Sequence, residues 1–418
     1  MYNNNPNNYG GNPYQAPESR NYYQNFYNMF GEYNPIADKE ATELRKYGTR
    51  AGAFILFALV MQYAGIIALR ASGLAELYTS SADYMNGIGV FFQFFYLFVP
   101  FIVAFIISSK SDKEKILIYG KPSSGPLYLF AIFAGLLVCS AANFAGTVLV
   151  SFFSATGVDF ISGMEDNPVP DNIMGYILMT VNVAVMPALL EEFAFRGVIL
   201  QPLRKYGDKF AIVVSSVVFA LMHGNMVQIP FAFIVGLALG YFCIATDSIW
   251  TSATIHFLNN FSSVIVSIYY EKYPEANSLP YIIISAATVF LGIIALILFV
   301  KNKEYKLVKS SSQLAASTKR GLYLCTPTIT AVVIYFAYTT LQLQYTNSLL
   351  GILVLLALNA LICVYFVKNI LVIRRDKRLA NTSSYGVSLV FIVIWAAIGT
   401  FLIVFSSIAS IAGSTMVN

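Results

Sequence analysis

Charge is scarce in this 418-residue chain: Asp, Glu, Lys and Arg make up 11% of it, against about 25% in a soluble globular domain. That shortage excludes an ordinary water-facing surface. Histidine occurs twice and cysteine four times, at Cys139, Cys243, Cys325 and Cys363, each inside an apolar run. No CxxC pair or zinc-type cysteine spacing exists, so the thiols read as small inert apolar residues. Also lacking are the short alternating segments of a transmembrane β-barrel and an apolar stretch in the first 50 residues that could serve as a cleavable signal.

What the chain has is apolar length. Residues of the AVILMFWYC set make up 57% of it, in recurrent runs near the roughly 20 residues that cross a bilayer core. Backbone groups in hydrocarbon must pair within their own segment, so the runs are expected to be helices. The fold class expected is all-α, a polytopic transmembrane bundle of about eleven spans: 51–69, 88–108, 126–152, 173–196, 210–223, 229–245, 249–269, 281–300, 322–342, 348–367 and 386–411.

Four domains are expected. Residues 1–50 hold an Asn/Tyr-rich tail, disordered to about residue 36, then a short amphipathic helix. Residues 51–300 form the membrane bundle with every unusual polar residue, 301–320 a basic, Ser-rich cytoplasmic linker, and 321–418 a three-span accessory bundle.

The net charge of +5 lies in clusters: Lys110, Lys113, Lys115 and Lys121; Arg204, Lys205 and Lys209; Lys301 to Arg320; Lys368 to Arg378. Alternation through the spans puts these clusters, with Lys39, Arg45, Lys46 and Arg50, on one side, the cytoplasmic side by the positive-inside bias. Arg70, Lys272 and the acidic loop residues Asp159, Glu165, Asp166 and Asp171 fall on the other. The expectation is a multi-pass plasma-membrane protein with its N-terminus cytoplasmic and its C-terminus outside. The bias accounts for the basic clusters without a nucleic-acid partner, and the bilayer is the partner that composition demands.

Ionisable groups inside spans are costly and mark functional sites. Here they concentrate: Glu191, Glu192 and Arg196 close the fourth span, His223 the fifth, and His256, Asn259 and Asn260 lie in the seventh. Both histidines of the chain are in the set. Glu192 and Arg196, four apart, share a helix face and can pair. Glu191 points about 100° away and keeps no sequence-local partner. An unpaired carboxylate in a low-dielectric setting suits general-base work near neutral pH. His256 and Asn260 also share a face. Phe219 lies one turn before His223 and can wall its ring. Pro187 should kink its span and free a carbonyl near the site. Taken separately, these residues also have structural readings: a snorkelling charged cluster, a satisfied histidine, an Asn joining helices. Together they favour a polar active or transport site.

EEFAFR at 191–196, FALMH at 219–223 and HFLNN at 256–260 fit the patterns EExxxR, FxxxH and HxxxN. In that order, each on a hydrophobic helix, they resemble the signatures of the CAAX-protease and bacteriocin-processing (Abi) family of intramembrane endopeptidases, over roughly residues 88–300. The resemblance implies a helical core of eight or fewer helices with a cavity open to cytoplasm and lipid. It implies hydrolysis of a peptide bond in a membrane-associated or lipid-modified protein or peptide. Glu191 and His223 would activate water, His256 and Asn260 would hold the oxyanion, and Glu192 and Arg196 would support the site. Zinc bound by His223, His256 and Glu191 is the alternative, although no HExxH helix is present, and a metal-free mechanism is favoured. A transporter, a scaffold or a self-immunity protein built on the same cluster is the non-enzymatic alternative.

Overall fold

The computed structural model describes residues 34–415 apart from 117–121, 123, 159–167, 226, 276, 303–306, 343–347, 377–378 and 381. The Asn/Tyr-rich tail, Lys121, Lys303, Lys306, Lys377, Arg378 and the acidic residues Asp159, Glu165 and Asp166 lie outside the described residues.

Every regular element among the described residues is helical. In chain order they are α1 (Pro35–Ala71), α2 (Leu74–Ser80), α3 (Ala82–Ile106), α4 (Lys110–Ile116), α5 (Gly125–Ala155), α6 (Ile173–Tyr206) and α7 (Asp208–Leu221). Then follow α8 (Gln228–Ala245), α9 (Ile249–Lys272), α10 (Leu279–Lys301), α11 (Ala316–Leu324), α12 (Pro327–Gln342), α13 (Leu349–Arg375) and α14 (Tyr385–Thr415). The chain is an all-helical, polytopic membrane bundle.

Eight of these helices are long and apolar enough to cross a membrane, or nine if α11 and α12, bent by 71° at their junction, make one span. The two remaining segments expected to span are helices of another kind. With 14 residues α7 rises about 21 Å, short of a hydrocarbon core of about 30 Å. The other, α9, has the length but too many polar residues among its 24 to qualify. Most of α7 and the first half of α9 are buried in the bundle, where neighbouring helices replace lipid. The outward faces of the long helices are apolar: Ile282, Ile284, Phe290 and Val300 of α10 are exposed, as a lipid-facing helix requires.

The expected amphipathic helix is not separate from the first span. It is the charged start of α1, a single helix of 37 residues. Asn34 caps it, its side-chain oxygen accepting from the amides of Ile36 and Ala37 at 3.0 and 3.1 Å, with Pro35 at the first helical position. The charged start is a docking surface. Glu43 takes Lys205 at 2.9 Å, and Glu40 accepts from the Ser312 hydroxyl at 2.6 Å and the Gln313 amide at 3.0 Å. Further along the basic stretch, Lys319 is buried and donates to the carbonyl of Tyr206 at 2.9 Å. The described part of 301–320 therefore packs against the end of α6 and the start of α1. Downstream, the end of α11 meets α1 at Gly48, against the Tyr323 carbonyl, and α12 meets it at Gly52, where a Cβ would stand 2.5 Å from the Thr328 hydroxyl. Two small residues four apart let the backbones approach this closely.

Three helical stretches widen to the π form: Phe94–Phe98, Val181–Val185 and Glu192–Leu200. Each is followed two residues later by a proline, Pro100, Pro187 or Pro202. A proline inside a helix has no N–H to give and its ring pushes on the carbonyl four residues back. A wide turn just upstream relieves that clash, and such turns recur at functional sites.

Candidate active site

The last two wide turns belong to α6, which carries Glu191, Glu192 and Arg196. Because Pro187 donates no hydrogen bond, the carbonyls four and five residues before it, those of Val183 and Asn182, are left for side chains. Asn260 of α9 donates to the Val183 carbonyl at 3.0 Å, and Gln93 of α3 donates to the Asn182 carbonyl at 2.8 Å. Proline thus ties α3 and α9 to α6 at one level of the bundle.

One turn further on is a buried charge network. Glu192 and Arg196 are 1% and 0% exposed and pair at 3.1 Å. The same carboxylate oxygen, Oε1, accepts from His256 Nδ1 at 2.9 Å. Arg196 Nη2 reaches the carbonyl of Gly236 at 3.4 Å, and its guanidinium lies over the Phe219 ring, 4.4 Å from the centroid. Phe219 also meets both histidines edge-on, His223 at 4.9 Å and His256 at 5.9 Å between ring centroids. It therefore does more than wall one imidazole: this buried ring sets the position of both. Two carbonyls beside the network are bonded by side chains, Phe195 by Ser215 at 2.8 Å and Arg196 by Gln201 at 3.2 Å.

Glu191 turns the other way, as its helical angle requires. It lines a cavity of about 230 Å³ together with His223, His256, Asn259, Asn260, Gln93 and Asn182, closed on one side by the apolar Phe231, Ala232 and Val235. Its Oε2 is buried without a hydrogen-bond partner, 3.9 Å from His256 Nε2. Glu192 and Arg196 do not line the cavity; they stand behind it. Of the six residues singled out in the sequence, four thus share one cavity and two support it from the side.

The histidine tautomers follow from their partners. His223 Nδ1 is 3.0 Å from the Phe219 carbonyl, an acceptor only, so Nδ1 carries the proton and Nε2 is left bare. His256 Nδ1 faces a carboxylate, so it too is the protonated nitrogen. Among the described residues no group of three or more His, Cys, Asp or Glu side chains is gathered to hold a metal ion.

Gln93, Asn182 and Asn86 were not singled out in the sequence. The Gln93 amide nitrogen donates to both the carbonyl and the side-chain oxygen of Asn182, each at 2.8 Å, and Asn182 donates to Asn86 at 3.1 Å. The signal was present: uncharged amides inside apolar runs.

Comparison with known proteins bears on this arrangement. The family model described as type II CAAX prenyl endopeptidase Rce1-like matches residues 173–262, the stretch from the start of α6 into α9 that holds all six residues. Over this stretch the chain is similar to the CAAX-protease family. Over 220 residues the chain is 24% identical to the Bacillus subtilis (strain 168) protein named "Putative membrane peptidase YdiL", covering 51% of this chain and 87% of that one. No solved structure matches the chain. Family and relative together support a membrane protease, and the apolar helices an integral, multi-pass membrane protein.

Proposed function

We propose that the protein is an intramembrane endopeptidase in which Glu191 and His223 activate a water molecule. One observation carries the reading: Glu191, His223, His256 and Asn260, from three helices, line one cavity, and Glu191 keeps a carboxylate oxygen there without a partner. A buried acceptor left open is costly unless something fills its need, and an attacking water does so. The water gives one proton to Glu191, with bare His223 Nε2 as a second acceptor. Its oxygen adds to the scissile carbonyl, whose π electrons become an oxyanion. Asn260 spends one amide N–H on Val183 and has a second for that oxyanion. His256, held by Glu192 through Nδ1, turns its Nε2 edge to the same cavity and orients the groups around the oxyanion. Collapse of the intermediate breaks the C–N bond, and the proton held by Glu191 passes to the leaving amine. No acyl-enzyme forms.

Glu192 and Arg196 act as positioning residues: they orient His256 and leave Glu191 free. The substrate class proposed is a membrane-associated or lipid-modified protein or peptide, which the apolar cavity wall suits. The mechanism is proposed without a metal. We also propose a plasma-membrane location, a cytoplasmic N-terminus and an outside C-terminus. If α11 and α12 together make one span, the nine crossings are odd, as the expected eleven are, and fit this assignment.

The test is cleavage of membrane-anchored peptides by the purified protein in detergent. Activity that withstands strong chelators and disappears in Glu191→Ala is the expected result. Loss of activity on chelation, restored by zinc, would replace the water-activating pair with a metal. Peptides left intact by a folded protein would favour the transporter or scaffold reading.

A further inference from the structure

A second cavity lies outside the proteolytic site and shares no wall residue with it. It has a volume of about 420 Å³ and is enclosed by α7, the start of α8, and the accessory helices α12, α13 and α14. That volume falls in the usual range for ligand pockets, about 300–1,000 Å³. Its walls include Leu221, Phe336, Ala337, Leu361, Tyr365 and Trp395, and no charged side chain. Asn359, also in the wall, turns its amide nitrogen to the Thr400 hydroxyl on α14, 3.4 Å away.

We propose that this cavity holds one acyl chain of a bilayer phospholipid. The wall fixes the chemistry: an apolar hole stays dry, and left empty it forfeits the dispersion contacts of its whole lining. The position fixes the source. Leu361 and Tyr365 are 65% and 40% exposed, so the cavity opens beside them, in the middle of α13. That helix has the length and apolarity of a membrane span. What lies outside the opening at that depth is hydrocarbon, and a straight chain can enter sideways while its headgroup stays at the interface.

The inner end reaches the turn that presents His223. Leu221 precedes that histidine by two residues. Phe336 packs on Gly224, the next residue, 3.3 Å from where a Cβ would stand. Gly224 has φ +68°, a conformation that suits glycine, so the turn has a defined shape for Phe336 to hold. The chain thereby supports the fold of the FxxxH helix end from behind. This assignment is independent of proteolysis.

Trp395 provides the readout. The chain has two tryptophans, and Trp250→Phe leaves the cavity residue as the sole indole fluorophore. That variant, purified in detergent, is titrated with phosphatidylcholine brominated on its acyl chain, which quenches indole emission on contact. Emission should fall to a plateau at one lipid per chain and recover with excess unbrominated phosphatidylcholine. In an Ala337→Phe or Ala337→Leu background, which fills the cavity, the quench should be lost. The less bulky variant serves if the larger misfolds, as judged by gel filtration and circular dichroism. Unchanged emission, a fall without a plateau, or an equal quench in a folded filled variant would overturn the proposal. So would protection of Trp395 by an isoprenoid alcohol but not by phosphatidylcholine, which would assign the cavity to a branched chain.

Discussion

Asn260 donates to the carbonyl of Val183 at 3.0 Å, and that carbonyl is the one Pro187, four residues on, cannot bond. A missing N–H on α6 is thus answered by a side chain on α9, and the oxyanion donor proposed for the site is positioned by a defect in the neighbouring helix. Two substitutions probe the link. Asn260→Leu should lower the cleavage rate by about 10²–10³-fold, as loss of an oxyanion donor does elsewhere. Pro187→Ala restores a backbone donor that competes for the carbonyls held by Asn260 and Gln93. It should lower activity by a smaller factor with no fall in melting temperature. Full activity in Pro187→Ala would show that the link does not position the site.

The charge network behind the cavity makes a stability prediction. Arg196→Met leaves Glu192 buried with His256 alone, and breaking a buried pair from one side costs on the order of 3–5 kcal/mol. The double change Glu192→Gln with Arg196→Met leaves no unpaired charge at either position and should melt higher in detergent than the single change. Equal melting temperatures would mean that the pair is not coupled as its 3.1 Å contact implies.

The contact between α1 and α12 at Gly52 is predicted to hold the accessory helices on the core. Gly52→Leu forces a side chain into the Thr328 backbone and hydroxyl, an overpacking that typically costs about 1–3 kcal/mol. The expected outcome is a lower melting temperature and faster proteolytic nicking near α12. An unchanged melting temperature would show that the two helices part without cost.

Membrane orientation is checked by thiol labelling or reporter fusions after residues 121, 209, 315 and 380. All four should report the cytoplasm, following the basic clusters. An outside signal at 209 would put the end of α6 on the other face and overturn the orientation.

Much of this was readable from residue order. The pairing of Glu192 with Arg196, the opposite direction of Glu191 and the carbonyl freed by Pro187 all follow from local helix geometry and are found. Three things were not readable. The chain pattern HxxxN gives no sign that His256 Nδ1 is committed to Glu192, because that bond joins residues 64 apart. Nor does an apolar run of 14 residues such as α7 say whether it spans or is enclosed, since burial by neighbouring helices and burial by lipid select the same side chains. The basic stretch 301–320 looked like a linker for its Lys and Ser content; its partners Glu40 and the Tyr206 carbonyl lie far away in sequence.

The central claim, that Glu191 performs the chemistry while Glu192 holds His256 and Arg196, is tested most directly by one comparison. Cleavage rate on a fixed peptide and melting temperature in detergent are measured for Glu191→Gln and Glu192→Gln. Glu191→Gln should lose about 10²–10⁴-fold in rate, the usual loss with a positioned general base, at an unchanged melting temperature. Glu192→Gln should lose less activity and melt lower, since an amide still accepts from Arg196 but carries no charge to balance it. Full activity in Glu191→Gln, with a well-folded and inactive Glu192→Gln, would contradict the account and exchange the roles of the two glutamates.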